Sequence, residues 1–196
     1  AFIMIPADFA PLPGFPKVKA VLAALKDALA KGRPPKIVCL SSVGAQHAGG
    51  LGLITQLHLL EEELRHGAPS VGFLRAAWFM ENAAWDVAPA RETGRINSFI
   101  LPTDRAIPMV ATDDIGRAGA AMLRESWSGP RVLELEGPRT YSPNDLAASL
   151  SRALGHPVVA EPVPRERWDE FFRGQGATDP SPRIETLDGF NSGWIS

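Results

Sequence analysis

Apolar positions change their period several times along the chain, and each change marks an element. Ile37-Val38-Cys39-Leu40 is a continuous apolar run behind the breaker pair Pro34-Pro35. A run of that length predicts a strand buried on both faces, the habit of a central parallel strand. Ser41 and Ser42 close it, a small-residue loop with Gly44, Gly49 and Gly50 follows, and a helical pattern runs out at 57–64. Upstream, Phe2-Ile3-Met4-Ile5-Pro6 is a second apolar run, ended by a proline that cannot extend a ladder, and residues 8–16 are a Pro-rich connection. Val18, Val21, Leu22, Leu25 and Leu29 recur at three- and four-residue steps. That spacing predicts an amphipathic helix over 18–29, with Lys31 in a basic last turn and Gly32 at C′. Strand, helix, strand over 2–40 predicts a right-handed parallel crossover.

Residues 70–76 predict a third strand, and Trp78-Phe79-Met80-Glu81-Asn82 follows at its carboxyl end. Residues 96–101 and Met109-Val110 are short strand candidates, and Asp113 or Asp114 can cap a helix over 115–124. Residues 132–135 read as a strand with one polar face. Ser142-Pro143-Asn144-Asp145 is a strong helix start, an acidic variant of the capping box, for a helix that stops at Gly155. A short strand at 158–160 and a helix over 165–172, with Trp168 and Phe171 on one side, precede a Pro- and Gly-punctuated tail over 179–196 that carries Phe190 and Trp194. The succession predicts an α/β fold, a parallel sheet with a small mixed C-terminal lobe. Its crevice would be walled by strand carboxyl ends at Pro6-Ala7, Ser41-Ser42 and 76–82, where open α/β sheets place ligands.

Composition narrows the function classes. In 196 residues, 45% hydrophobic and 21% charged, 20 basic residues stand against 22 acidic ones, for a net charge of −2. No basic block invites nucleic acid or anionic lipid. Glu61-Glu62-Glu63 reads as a solvated helix face. Cys39 is the single cysteine, so no intrachain disulfide or thiolate metal cluster can form, and its place in a strand marks it as a buried inert thiol. The four histidines are scattered and form no metal-ligand spacing. No apolar run approaches the roughly 20 residues of a membrane span, and no basic n-region opens the chain, so a cytoplasmic location is the default expectation. No G-x-G-x-x-G occurs at a strand-to-helix turn, and Gly49-Gly50-Leu51-Gly52 has the wrong spacing and follows a later strand.

Leu40-Ser41-Ser42-Val43-Gly44-Ala45, residues 74–82, Asp114-Ile115-Gly116-Arg117-Ala118, Leu135-Glu136-Gly137-Pro138 and Tyr141-Ser142-Pro143 together resemble the NmrA-like branch of atypical short-chain dehydrogenases. The likeness spans nearly the whole chain in order. It implies the later strands of a Rossmann-type sheet over 1–125 and a small mixed lobe and tail over 126–196, interleaved with the first part. The first three strands and the glycine motif would precede Ala1, making the chain a fragment. The resemblance further implies NADP or NAD as cofactor, its binding in question without the glycine motif, and hydride transfer to a quinone-like or azo-type molecule. A non-catalytic redox sensor and a fragment unable to bind dinucleotide are the alternatives. Where ordinary short-chain dehydrogenases carry a Tyr and a Lys, this alignment places Ile54 and His58. The usual acid is absent, and His58 is the one catalytic candidate.

The cofactor-binding candidates are Pro6, Ser41, Ser42, His58, Ala76, Ala77, Trp78 and Phe79. The substrate candidates are Gln46, His47, Trp78, Phe79, Asn82, Phe190 and Trp194. Most have a plainer alternative. His58 can be a helix histidine bonded to a nearby carbonyl, the serines can merely end a strand, and Trp78 and Phe79 can be core. Gln46 and His47 can be lid residues or solvent-exposed, while Phe190 and Trp194 can close the crevice or pin the tail. Arg75 follows a buried strand and needs an acidic or carbonyl partner. A small-molecule substrate is the expected partner, with a homo-oligomer left open.

Overall fold

The computed structural model describes residues 1–195; the last residue of the expected tail and lobe, Ser196, lies outside them. The chain runs β1 (Phe2–Ile3), α1 (Pro16–Gly32), β2 (Lys36–Ser42), α2 (Thr55–Leu64), β3 (Ser70–Ala76), β4 (Trp78–Phe79), α3 (Val87–Thr93) and β5 (Arg95–Ser98). It continues through β6 (Ile107–Val110), α4 (Thr112–Arg124), β7 (Gly129–Leu135), β8 (Thr140–Tyr141), α5 (Pro143–Leu154), β9 (Val159–Pro162), α6 (Trp168–Gly174) and α7 (Ser181–Ser192). Single 3₁₀ segments precede α2 (Gly52–Ile54), α3 (Met80–Asp86) and α6 (Arg165–Arg167).

The main sheet has the order β1-β2-β3-β7, every pair parallel. The apolar run at 37–40 is its central strand, as the pattern predicts. Period-2 alternation then divides the core. Ile37 and Cys39, with Val71 and Phe73, pack under Val18 and Leu22 of α1 and Leu60 and Leu64 of α2. Val38 and Leu74 face the other way, toward Ile115 and Met122 of α4. Two smaller sheets, β4-β6-β8 and β5-β9, carry the later part of the chain.

Several boundaries differ from the expectations, each for a local reason. Only Phe2 and Ile3 of the first apolar run pair with β2. Gly32 is still helical, and the left-handed C-cap falls on Arg33 at φ 43°, whose N–H reaches Leu29 O. Helix α4 starts at Thr112, and neither Asp113 nor Asp114 caps it. The Glu81 carboxylate instead accepts the Thr112 N–H at 3.0 and 3.1 Å, leaving the two aspartates to favour the positive end of the helix dipole. The capping box at Ser142 and Asp145 forms as read. The tail is a helix: Pro182 sits where a first-turn proline needs no donor, and Ile184, Leu187, Gly189 and Phe190 bury one side.

Candidate functional site

The carboxyl ends of β2, β3 and β7 are joined: the Val43 N–H donates to Ala76 O at 3.1 Å, and the Ala77 N–H donates to Leu135 O, at the end of β7, at 2.9 Å. Ser42 turns its hydroxyl onto Val43 O at 3.0 Å. From above, His58 on α2 reaches the same loop, its Nδ1 2.9 Å from Ala45 O. A carbonyl only accepts, so Nδ1 donates here, and Nε2, an acceptor in the neutral ring, has no hydrogen bond to any described residue. Ser42, His58, Ala76 and Ala77 are thus gathered around one loop. The plainer reading of His58 holds for one ring nitrogen and leaves the other available.

Ser41 is elsewhere. Neighbouring strand residues point to opposite faces, and Ser41 shares the α2-facing side with Cys39. Its hydroxyl donates to Glu61 Oε1 at 2.6 Å. Arg75, the register partner of Ser41, forms a fork on the same carboxylate, Nε to Oε1 at 2.9 Å and Nη2 to Oε2 at 2.7 Å. Glu134 stands 3.6 Å from the outer side of that guanidinium. Glu61 is 2% exposed, so the expected solvated charge run is solvated only at Glu62 and Glu63. Its hydrogen bonds hold Arg75 above the usual arginine range. The reason was legible: Leu57, Leu60, Glu61 and Leu64 follow i, i+3, i+4, i+7, which puts Glu61 on the buried stripe. The clamp ties α2 to β2 and β3, one turn beyond His58.

Trp78 and Phe79 form β4 and are half-buried, packed on the main core. Phe190 is buried and meets Trp78 edge-on, ring centres 5.2 Å apart. Gln46 is exposed; its Nε2 lies 3.5 Å from His47 Nε2. His47 stacks on Trp194 at 3.9 Å, and the Trp194 indole N–H donates to Gly49 O at 3.1 Å. Trp194 therefore pins the tail to the glycine loop, while Phe190 lies inward beside Trp78. Pro6 is exposed at the end of the β1 segment and Asn82 is half-buried in the 3₁₀ segment after β4. Four residues beyond Asn82, burial pushes the Asp86 carboxyl up to about 6.

A residue the pattern did not signal is Gln56. It is 6% exposed, its Nε2 donates to Asp8 O at 2.9 Å and Leu53 O at 3.2 Å, and its Oε1 is buried without a partner. Helix α2 thus holds the segment after β1 through Gln56 and the loop after β2 through His58. These features suit the nicotinamide end of a dinucleotide, which offers ribose hydroxyls and a carboxamide to free acceptors. The long connection from β1 to α1 holds no glycine motif for a pyrophosphate. Among the described residues no group of three or more His, Cys, Asp or Glu could hold a metal ion, and no helix is long and apolar enough to cross a membrane. A broad groove of about 640 Å³, lined by Arg33, Arg65 and His66 among others, opens at the opposite, amino end of the strands.

No protein-family model and no curated protein matches the sequence. Solved structures do match. An NADPH-dependent quinone oxidoreductase from Escherichia coli, in its complex with NADPH, superposes with a TM-score of 0.77 at 21% identity, covering 100% of this chain and 66% of that one. Triphenylmethane reductase from a Citrobacter species, complexed with NADP(H), gives 0.71 at 19% identity, with 100% and 68% covered. A nucleoside-diphosphate-sugar epimerase from Staphylococcus aureus gives 0.74 at 18% identity, with 100% and 68% covered. Identities this low speak for fold alone. The chain has the Rossmann-like α/β fold of these proteins and spans about two thirds of their length.

Proposed function

We infer that this chain is part of an NAD(P)H-dependent oxidoreductase that reduces a flat, quinone-like or azo-type molecule. The observation that carries the reading is the superposition of its entire length on a quinone oxidoreductase complexed with NADPH, at a TM-score of 0.77. The site adds chemical support. Nδ1 of His58 is committed to Ala45 O, which orients Nε2 as an acceptor for a sugar hydroxyl or a ring substituent. Trp78 and Phe79, half-buried at the strand end, offer apolar surface for a planar acceptor, with the buried Phe190 ring set edge-on behind Trp78. The chemistry a nicotinamide supplies when bound is hydride donation, and the protein's share is position and exclusion of water. At position 54 the chain has Ile, which moves no proton, so a reduced quinone takes its proton from solvent.

The test is loss of absorbance at about 340 nm, the reduced nicotinamide band, with NADPH or NADH and a panel of quinones and azo dyes. Turnover supports an oxidoreductase. Tight nucleotide binding without turnover on any acceptor assigns the chain to a sensor instead, and absence of binding overturns the reading.

A further inference from the structure

Gln56 stands out among the buried polar groups of the described residues. Its Oε1 is the single buried side-chain oxygen or nitrogen among them that finds no partner. Turning the amide over would not help, because Oε1 would then face the carbonyls of Asp8 and Leu53, which only accept. The orientation is therefore set by its neighbours, and it leaves a buried acceptor unanswered, which is destabilising. Buried acceptors of this kind call for a donor.

The segment hydrogen-bonded to this amide supplies a second observation. Residues 7–15 form a Pro-rich strap from β1 to α1, in which Phe9 is 70% and Leu12 62% exposed. The strap touches α2 through the Gln56–Asp8 hydrogen bond, is anchored by the buried Pro11 and by Phe15 on the core beneath α1 and α2, and is otherwise held by short-range contacts. Asp8 accepts the Ala10 N–H at 3.2 Å, and the Phe15 N–H reaches Leu12 O at 2.9 Å. Between the anchors at Pro11 and Phe15 and the Asp8 carbonyl on the Gln56 amide, the strap presents two large exposed apolar side chains, Phe9 and Leu12, beside an unpartnered acceptor and beyond a strand's carboxyl end.

We propose that Gln56 is a ligand-binding residue: Oε1 accepts an O–H or N–H of a nicotinamide nucleotide, admitted when the strap over residues 7–15 shifts and folds Phe9 and Leu12 onto it. The proposal rests on the nucleotide-binding reading above and adds to it the acceptor and the moving part. Two donors on such a ligand have the right chemistry, a ribose hydroxyl and the carboxamide N–H.

The test is calorimetric titration of NADPH and NADH into the wild type and Gln56→Met, which keeps the side-chain length and removes both polar ends. Binding about 10-fold weaker in Gln56→Met is expected, with the Gln56 side-chain amide resonances of the wild type shifting on titration. The 3-acetylpyridine analogue lacks the carboxamide N–H. Weaker binding of that analogue to wild type but not to Gln56→Met assigns the carboxamide as donor; equal binding to wild type assigns a ribose hydroxyl. Should Gln56→Met unfold, Gln56→Asn, which draws the amide back by one carbon, is expected to show the same loss. Wild-type affinity in the variant, with unmoved amide resonances, overturns the role of Gln56 and leaves the nucleotide reading standing. No binding by the wild type overturns both.

Discussion

Replacing Glu61 by Met should expose how α2 is fastened to the sheet. Met nearly conserves the volume, so little of the effect comes from a cavity. What changes is charge: the Arg75 guanidinium, 12% exposed at its side chain, keeps only Glu134 at 3.6 Å, and Ser41 loses its 2.6 Å acceptor. Removing one partner of a buried pair leaves the other charge uncompensated and costs about 3–5 kcal/mol. For a chain of 196 residues, at about 2–4 °C per kcal/mol, that is a fall in Tm of about 6–20 °C. The double variant Glu61→Met, Arg75→Met buries no stranded charge and should recover most of the loss, as buried pairs exchanged for apolar residues are often neutral. Urea unfolding followed by tryptophan fluorescence on wild type, both single variants and the double variant closes the cycle. A coupling of at least about 2 kcal/mol is expected. If Glu61→Met costs less than about 1 kcal/mol, or the two single effects simply add, the cluster is solvated and α2 is held by its leucines alone.

The Asp86 carboxyl has a folded-state value of about 6 against 3.8, so the folded protein binds the extra proton between these values. Stability therefore falls as pH rises from about 4 to 6 and stays lower above that. Asp86→Asn should gain about 1–2 kcal/mol at neutral pH after allowance for its partial exposure, and denaturation at several pH values showing the wild-type slope in the variant would refute this. Burial and the nearby Glu61 push the Cys39 thiol up to about 12, so a thiol reagent at mildly alkaline pH should leave the native protein unlabelled; complete labelling before unfolding would contradict its burial. At Gly52, φ is +56° and a Cβ would lie 1.9 Å from Pro182 O, whereas Gly155, φ +75°, has open space around it. Gly52→Ala should cost about 2–4 kcal/mol and Gly155→Ala about 1–2, and equal losses in thermal melts would show that α7 does not press on the start of α2.

Local pattern alone was enough for the elements whose periodicity is enforced by burial on a known face. The run at 37–40, the stripe from Val18 to Leu29 and the capping box at Ser142 are written in neighbouring residues, because a strand or helix reads its own spacing. The same logic placed Ser42 and residues 76–79 near the carboxyl edge of a parallel sheet, since strand direction follows from a short helical crossover, whereas His58 was named by the family resemblance alone. Identity of contacts across the chain lies beyond such reasoning. Ser41 and Ser42 look alike in sequence, and only the strand's register beside Arg75 and beneath Glu61 separates a clamp residue from a loop residue. Helix α7 escaped notice because Pro182 and Gly189 break local propensity, while packing of Ile184, Leu187 and Phe190 against the distant 51–54 segment and β4 restores it. Gln56 carried no signal at all: its amide is oriented by the Asp8 carbonyl, 48 residues away, which accepts from Nε2 and leaves Oε1 unanswered.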